Sequence, residues 1–155
     1  MTAHPAANLI SAVTTLFDQR GAVDVGATSG AYEQLAESPL DAVFVAGTTG
    51  EFVTLTDEER LEVCAAASDA FGPDRTYWHV GSASAHQAAH LTRAAVDRGA
   101  RRLAALTPHY FAATEFAVLA YYDSRRAGVG GGGVWVPLSP ANDDTGVAGD
   151  AGPDR

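Results

Sequence analysis

The sequence predicts an α/β fold of parallel strands in repeating strand–helix units, on three observations. Short apolar or β-branched runs alternate with helical stretches as far as Arg126, without a run of hairpin turns. Each unit takes about 25–35 residues, as a right-handed parallel crossover requires. Ala42-Val43-Phe44-Val45-Ala46 is unbroken and apolar, the mark of a strand buried on both faces.

The elements follow in order. Leu9 to Phe17 begins as a strand and ends at the turn-forming Asp18-Gln19-Arg20-Gly21. Asp24 to Glu37 reads as a helix with Ala27, Ala31 and Leu35 on its apolar face. Ser38-Pro39 stops it, because proline disfavours the helical state in the residue before it. The helix after the buried strand carries the clearest signal. Thr56 can cap its first turn while Glu59 returns a bond to the Thr56 amide, and Asp57 and Glu58 put negative charge at the positive end of the dipole. Its stripe is Leu61, Cys64, Ala65, Ser68 and Phe71, and Gly72-Pro73 ends it. Then come strand Tyr77 to Gly81, helix Ser84 to Arg98, strand Leu103 to Thr107, helix Thr114 to Arg126 and strand Val134-Trp135-Val136. Residues 127–155 break the pattern: a glycine run spans Gly128 to Gly133, and the acidic, Gly-rich stretch from Ala141 to Arg155 is expected to be disordered.

At 155 residues the chain is one domain or a piece of a larger one. Apolar residues make up 46% and charged residues 19%, which excludes disorder throughout. A formal net charge of -9 repels phosphate backbones and argues against a nucleic-acid partner. No apolar run approaches the roughly 20 residues of a membrane helix. The lone Cys64 excludes an intramolecular disulfide or a cysteine zinc cluster and fits a reducing cytoplasm. All 10 basic residues are arginine, so chemistry that needs a lysine amine must draw it from elsewhere.

Most motifs have plain readings. Gly128, Gly130 and Gly133 have dinucleotide-binding spacing, but they follow a helix and precede a strand, the reverse of the required context, and read as a linker. His86 and His90 are spaced to chelate a metal, yet Gln87-Ala88-Ala89 between them supplies no glutamate base, and they read as a surface pair. Cys64, on an apolar stripe with no cation evident near it, reads as a small buried hydrophobe. No metal and no cofactor is therefore expected.

Two turns differ. Gly47-Thr48-Thr49-Gly50-Glu51 directly follows the buried strand, at the end of a parallel strand where barrels of this class place their active sites. Its glycines and hydroxyls offer amide and side-chain donors suited to a small carboxylate, or simply a tight turn into the next helix. Thr107-Pro108-His109-Tyr110 lies at the same end of another strand, where a tyrosine passes a proton or plugs a loop.

Together with Val13-Thr14-Thr15-Leu16-Phe17, Gly21-Ala22-Val23-Asp24, Leu55-Thr56-Asp57-Glu58-Glu59-Arg60 and Gly81, these turns resemble the dihydrodipicolinate synthase and N-acetylneuraminate lyase family of class I aldolases over roughly residues 9–123. The resemblance implies a (β/α)8 TIM barrel that condenses or cleaves pyruvate, or a similar 2-oxo acid, through a Schiff base on a barrel lysine. It assigns Thr48 to a catalytic proton relay and to substrate contact, Thr49 to the pyruvate carboxylate, and Tyr110 to the relay across a homo-oligomer interface. His109 stands where a tyrosine is more usual.

The resemblance then breaks. Pro137 or Ser139 stands where the family has a catalytic tyrosine, and an acid or amide around Asn142-Asp143-Asp144 stands where it has an arginine. The chain stops short of the lysine-bearing strand. A full barrel takes about 250 residues, so residues 1–126 are expected to form its N-terminal half, about the first four to five βα units, with 127–155 as a tail. A truncated or frame-slipped gene would produce this pattern. Two functions stay open: a lyase inactive on its own, or a non-catalytic remnant that binds a small carboxylate or a partner subunit.

Overall fold

The computed structural model describes residues 8–106, 114–126 and 134–138. Five strands alternate with four helices: β1 (Ile10–Ala12), α1 (Val25–Ala36), β2 (Ala42–Val45), α2 (Asp57–Phe71), β3 (Thr76–His79), α3 (Ala85–Asp97), β4 (Arg102–Leu106), α4 (Glu115–Arg126) and β5 (Val134–Leu138). The strands form one sheet in the order β1-β2-β3-β4-β5, and every pairing is parallel. An order without reversal matters. Right-handed crossovers that always step the same way put every helix on one face, as in a barrel, whereas a doubly wound sheet reverses direction. The architecture is a partial (β/α)8 barrel. Among the described residues, β1 and β5 each pair on one side only.

Strand alternation divides the side chains between two faces. Val43, Val45, Trp78 and Leu103 point to the helices and join Leu61, Val63, Cys64, Ala67, Phe71, Leu91 and Ala95 in the main core. The register aligns Val45 with Trp78 and Trp78 with Leu103, so this core runs as a row across the strands. On the other face Ala42, Phe44, Tyr77 and Ala104 form a smaller cluster, the inner wall of the barrel.

The helix caps follow local chemistry. Thr56 and Glu59 form the reciprocal capping box, with the Thr56 amide donating to Glu59 at 2.8 Å. Asp24 and Ser84 cap α1 and α3 through Ala27 and Gln87. Three details depart from the sequence reading. The buried side of α1 runs through Thr28 and Tyr32, while Ala27 and Ala31 face solvent. Long-range bonds select that face: the Tyr32 hydroxyl donates to the Thr14 carbonyl, and the Leu16 amide donates to Thr28. The first strand is confined to Ile10–Ala12, and Phe17 instead makes an antiparallel bridge to Val23. β5 continues through Pro137 to Leu138, where an outer strand tolerates the missing proline amide. The glycine run, the Ala141 to Arg155 stretch and Ser139 lie outside the described residues, as do His109 and Tyr110.

Candidate functional site

The site grows from the end of β2. Ala46, the next residue, adopts a left-handed backbone with φ 52, and Glu51 adopts φ 56. Two non-glycine residues in that region within six positions are costly and persist only where the surroundings over-determine them. The surroundings do so here. A Cβ on Gly50 would come within 3.1 Å of the Ala46 backbone and 3.2 Å of the Val13 carbonyl, so a side chain there would push on the backbone that closes the turn. Thr15, from the segment after β1, donates to the Gly50 carbonyl at 2.9 Å. The Glu51 and Phe52 amides fold back onto the Thr48 and Gly47 carbonyls.

Bent in this way, the turn presents Thr48 and Thr49 at the surface, and both line a cavity of about 360 Å³. Ile10, Ala12, Phe44, Tyr77 and Leu106 complete its wall from β1 to β4. The cavity is therefore the barrel interior, apolar along the strands and hydroxyl-bearing at their C-terminal ends. A small carboxylate fits that division, with its head on the threonines and its carbon chain over the strands.

Beneath the turn lies a polar layer that the sequence reading did not single out. The Arg60 guanidinium is buried, at 4% exposure, and its Nη2 donates to the carbonyls of His79 at 2.8 Å and Gly81 at 2.9 Å. It packs 5.2 Å from the Phe52 ring centre. Burial lowers its pKa, while Cys64, Asp57 and Tyr121 oppose that shift. The partners are carbonyls at the end of another strand, so no sequence pattern announces them. Tyr121 of α4 both accepts from the Ser82 amide and donates to the Ser82 carbonyl, pinning the segment after β3.

The remaining candidates resolve plainly. His86 and His90 are exposed, and among the described residues no cluster of histidine, cysteine or acid could hold a metal. Cys64 is buried, and burial pushes its thiol up to about 12. Arg60, one helical turn before it, is a cation that the sequence reading passed over, but its lowering influence is the smaller one. Thr48 and Thr49 are brought together at the cavity; Tyr110, the third residue of the expected set, lies outside the described residues.

Comparisons with known proteins agree with the fold. A family model described as the dihydrodipicolinate synthetase family matches residues 5–125. A 4-hydroxy-tetrahydrodipicolinate synthase from Kineococcus radiotolerans is 35% identical over 128 residues, 81% of this chain and 41% of the relative. A crystal structure of dihydrodipicolinate synthase from Cyanidioschyzon merolae with lysine bound superposes at a TM-score of 0.73 and 28% identity, covering 78% of this chain and 42% of that one. An N-acetylneuraminate lyase from Proteus mirabilis shares the fold at a TM-score of 0.76 and 22% identity, over 88% of this chain and 46% of that one. The chain thus spans about two-fifths of the length of the curated relatives it matches.

Proposed function

The chain belongs to the dihydrodipicolinate synthetase family of lyases, and from that premise we propose that it supplies the carboxylate-binding half of a pyruvate-dependent lyase site. The observation that carries the reading is the cavity at the C-terminal ends of the strands, with Thr48 and Thr49 on its rim. The Thr49 hydroxyl donates to the carboxylate of pyruvate or a similar 2-oxo acid. Thr48 contacts the substrate and passes a proton in a relay with Tyr110, which reaches the site across a homo-oligomer interface.

Attack on the 2-oxo carbon needs a primary amine that is partly unprotonated. None of the 155 residues is lysine, and an arginine guanidinium stays protonated and is no nucleophile. In this reading the Schiff-base lysine is supplied by residues outside these 155, and these 155 alone bind substrate without turning it over. Carboxylate binding by itself accelerates nothing. The same absence favours a second reading, a non-catalytic remnant that retains the carboxylate cradle or docks a partner subunit. Among the described residues no helix is long and apolar enough to cross a membrane. A cytoplasmic setting accords with the buried free Cys64.

Titration calorimetry with pyruvate tests the carboxylate cradle that both readings share. The full chain is expected to bind pyruvate saturably, and Thr49→Val, which removes the hydroxyl and keeps the volume, weakens it by about tenfold. Equal affinity in Thr48→Val, Thr49→Val and the unsubstituted chain contradicts the reading.

A further inference from the structure

We infer that His79 is a positioning residue that ties the Thr48–Thr49 turn to the end of β4; the inference rests on reading that turn as the carboxylate cradle. The side chain is 2% exposed and stands on the inner face at the end of β3. Both ring nitrogens meet backbone groups of the neighbouring strands. Nδ1 lies 2.8 Å from the Ala46 carbonyl oxygen, and Nε2 lies 3.3 Å from the Leu106 amide nitrogen. A carbonyl only accepts and an amide N–H only donates. The pair is satisfied by one form of the ring, the neutral tautomer with its proton on Nδ1.

One further contact bears on that form. The Arg60 Nη2 lies 3.3 Å from Nδ1 but donates to the His79 and Gly81 carbonyls, so beside a protonated Nδ1 it acts as a nearby cation and works against a charged ring. Phe52 meets the ring edge-on at 4.6 Å between centres and Phe44 lies at 5.7 Å, which confines its orientation.

What the ring holds is specific. Ala46 is the strained residue whose backbone aims the chain into Gly47-Thr48-Thr49, and Nδ1–H anchors its carbonyl. Leu106 lines the same cavity from β4, and Nε2 anchors its amide. Gly81 makes room for the bridge: a Cβ there would fall 2.6 Å from Nε2 and 3.0 Å from the Leu106 amide nitrogen. His79 is thus a brace between two walls of the site rather than a group that touches the substrate.

Three substitutions in the full chain take the brace apart. His79→Asn offers an N–H near the Nδ1 position and keeps the bond to Ala46. His79→Gln offers an acceptor near the Nε2 position and keeps the bond to Leu106. His79→Leu keeps neither. Amide hydrogen exchange, read without ligand, is expected to speed up at Leu106 in the Asn and Leu variants and stay slow in the Gln variant. Pyruvate affinity is expected to fall about tenfold in the Leu and Gln variants and to remain near the original in the Asn variant. A core-filling role would instead rank all three variants by melting temperature alone, with no split between Asn and Gln; that outcome, or unchanged Leu106 exchange in His79→Asn, overturns the inference. If the unsubstituted chain binds no pyruvate, the cradle reading fails and the functional part of the inference with it, while the exchange pattern still decides whether the brace exists.

Discussion

The two faces of the sheet are made from the same strands, yet they end differently. Toward the helices, Val43, Val45 and Leu103 are 0% exposed and Trp78 1%, closed over by α2, α3 and their neighbours. On the inner wall Ala42, Tyr77 and Ala104 are buried as well, but Ile10 on the outermost strand remains 44% exposed, and the strands border an open cavity. The helices that cover the first face lie between the strands in the chain, so each strand–helix unit brings its own cover. The inner face is covered only by strands from across a barrel, and a closed barrel draws its interior layers from alternate strands around the whole ring. The main core and the proposed carboxylate site therefore lie on opposite faces. The packed face can be built locally; the binding face depends on more of the ring.

Substitutions on the two faces probe this division most strongly. Trp78→Ala empties a buried volume and strands the Ser68 hydroxyl that accepts from the indole N–H at 2.8 Å; it should cost about 3–5 kcal/mol. Ile10→Ala, on the inner wall, should cost under about 1 kcal/mol. Denaturant melts of both variants check the pair. Equal costs would mean that the inner face is closed as tightly as the outer one.

A smaller effect is expected where the faces meet. Arg60→Met keeps the length of the side chain but leaves the His79 and Gly81 carbonyls without their donor, at a cost of roughly 1–3 kcal/mol. Because those carbonyls lie beneath the Thr48–Thr49 turn, exchange should rise at the ends of β2 and β3 before it rises in α3. Uniform acceleration would place Arg60 in the general core instead.

A further, modest effect belongs to the outer face alone. Thr56→Ala removes the cap of α2 and should lower stability by about 1 kcal/mol. The pH dependence has a definite sign. Bonds from the Thr56 amide, and then its hydroxyl, hold the Glu59 carboxyl below its ordinary range. Stability from this pair is thus fully present above the unfolded carboxylate pKa and is lost as the pH falls through the lower folded value. Thermal melts from neutral to acid pH should show the decline, diminished in Thr56→Ala, with pyruvate affinity at neutral pH untouched.

What the sequence made legible follows the same division. The capping box of α2, the buried β2 run and the order of elements are local patterns, written within a few residues of one another. The turn at Thr48 and Thr49 was legible because glycines and hydroxyls at the end of a parallel strand already imply a close backbone approach. The buried side of α1 was not, since Thr28 and Tyr32 are chosen by bonds to Leu16 and Thr14 from an earlier segment. Arg60 and His79 were missed for a related reason: an arginine in an acidic first turn and a histidine in a short strand look ordinary until the fold sets other strands' carbonyls and amides against them.

The central proposal is that these residues hold a carboxylate cradle but not the Schiff-base lysine. Incubating the full chain with pyruvate and borohydride, then mapping any reduced adduct by intact-mass and peptide analysis, tests it most directly. For a purified chain of these 155 residues, which has no lysine, the account predicts only substoichiometric labelling, confined to the N-terminal peptide and its α-amino group. Stoichiometric, saturable trapping linked to aldol turnover by the purified chain would contradict it.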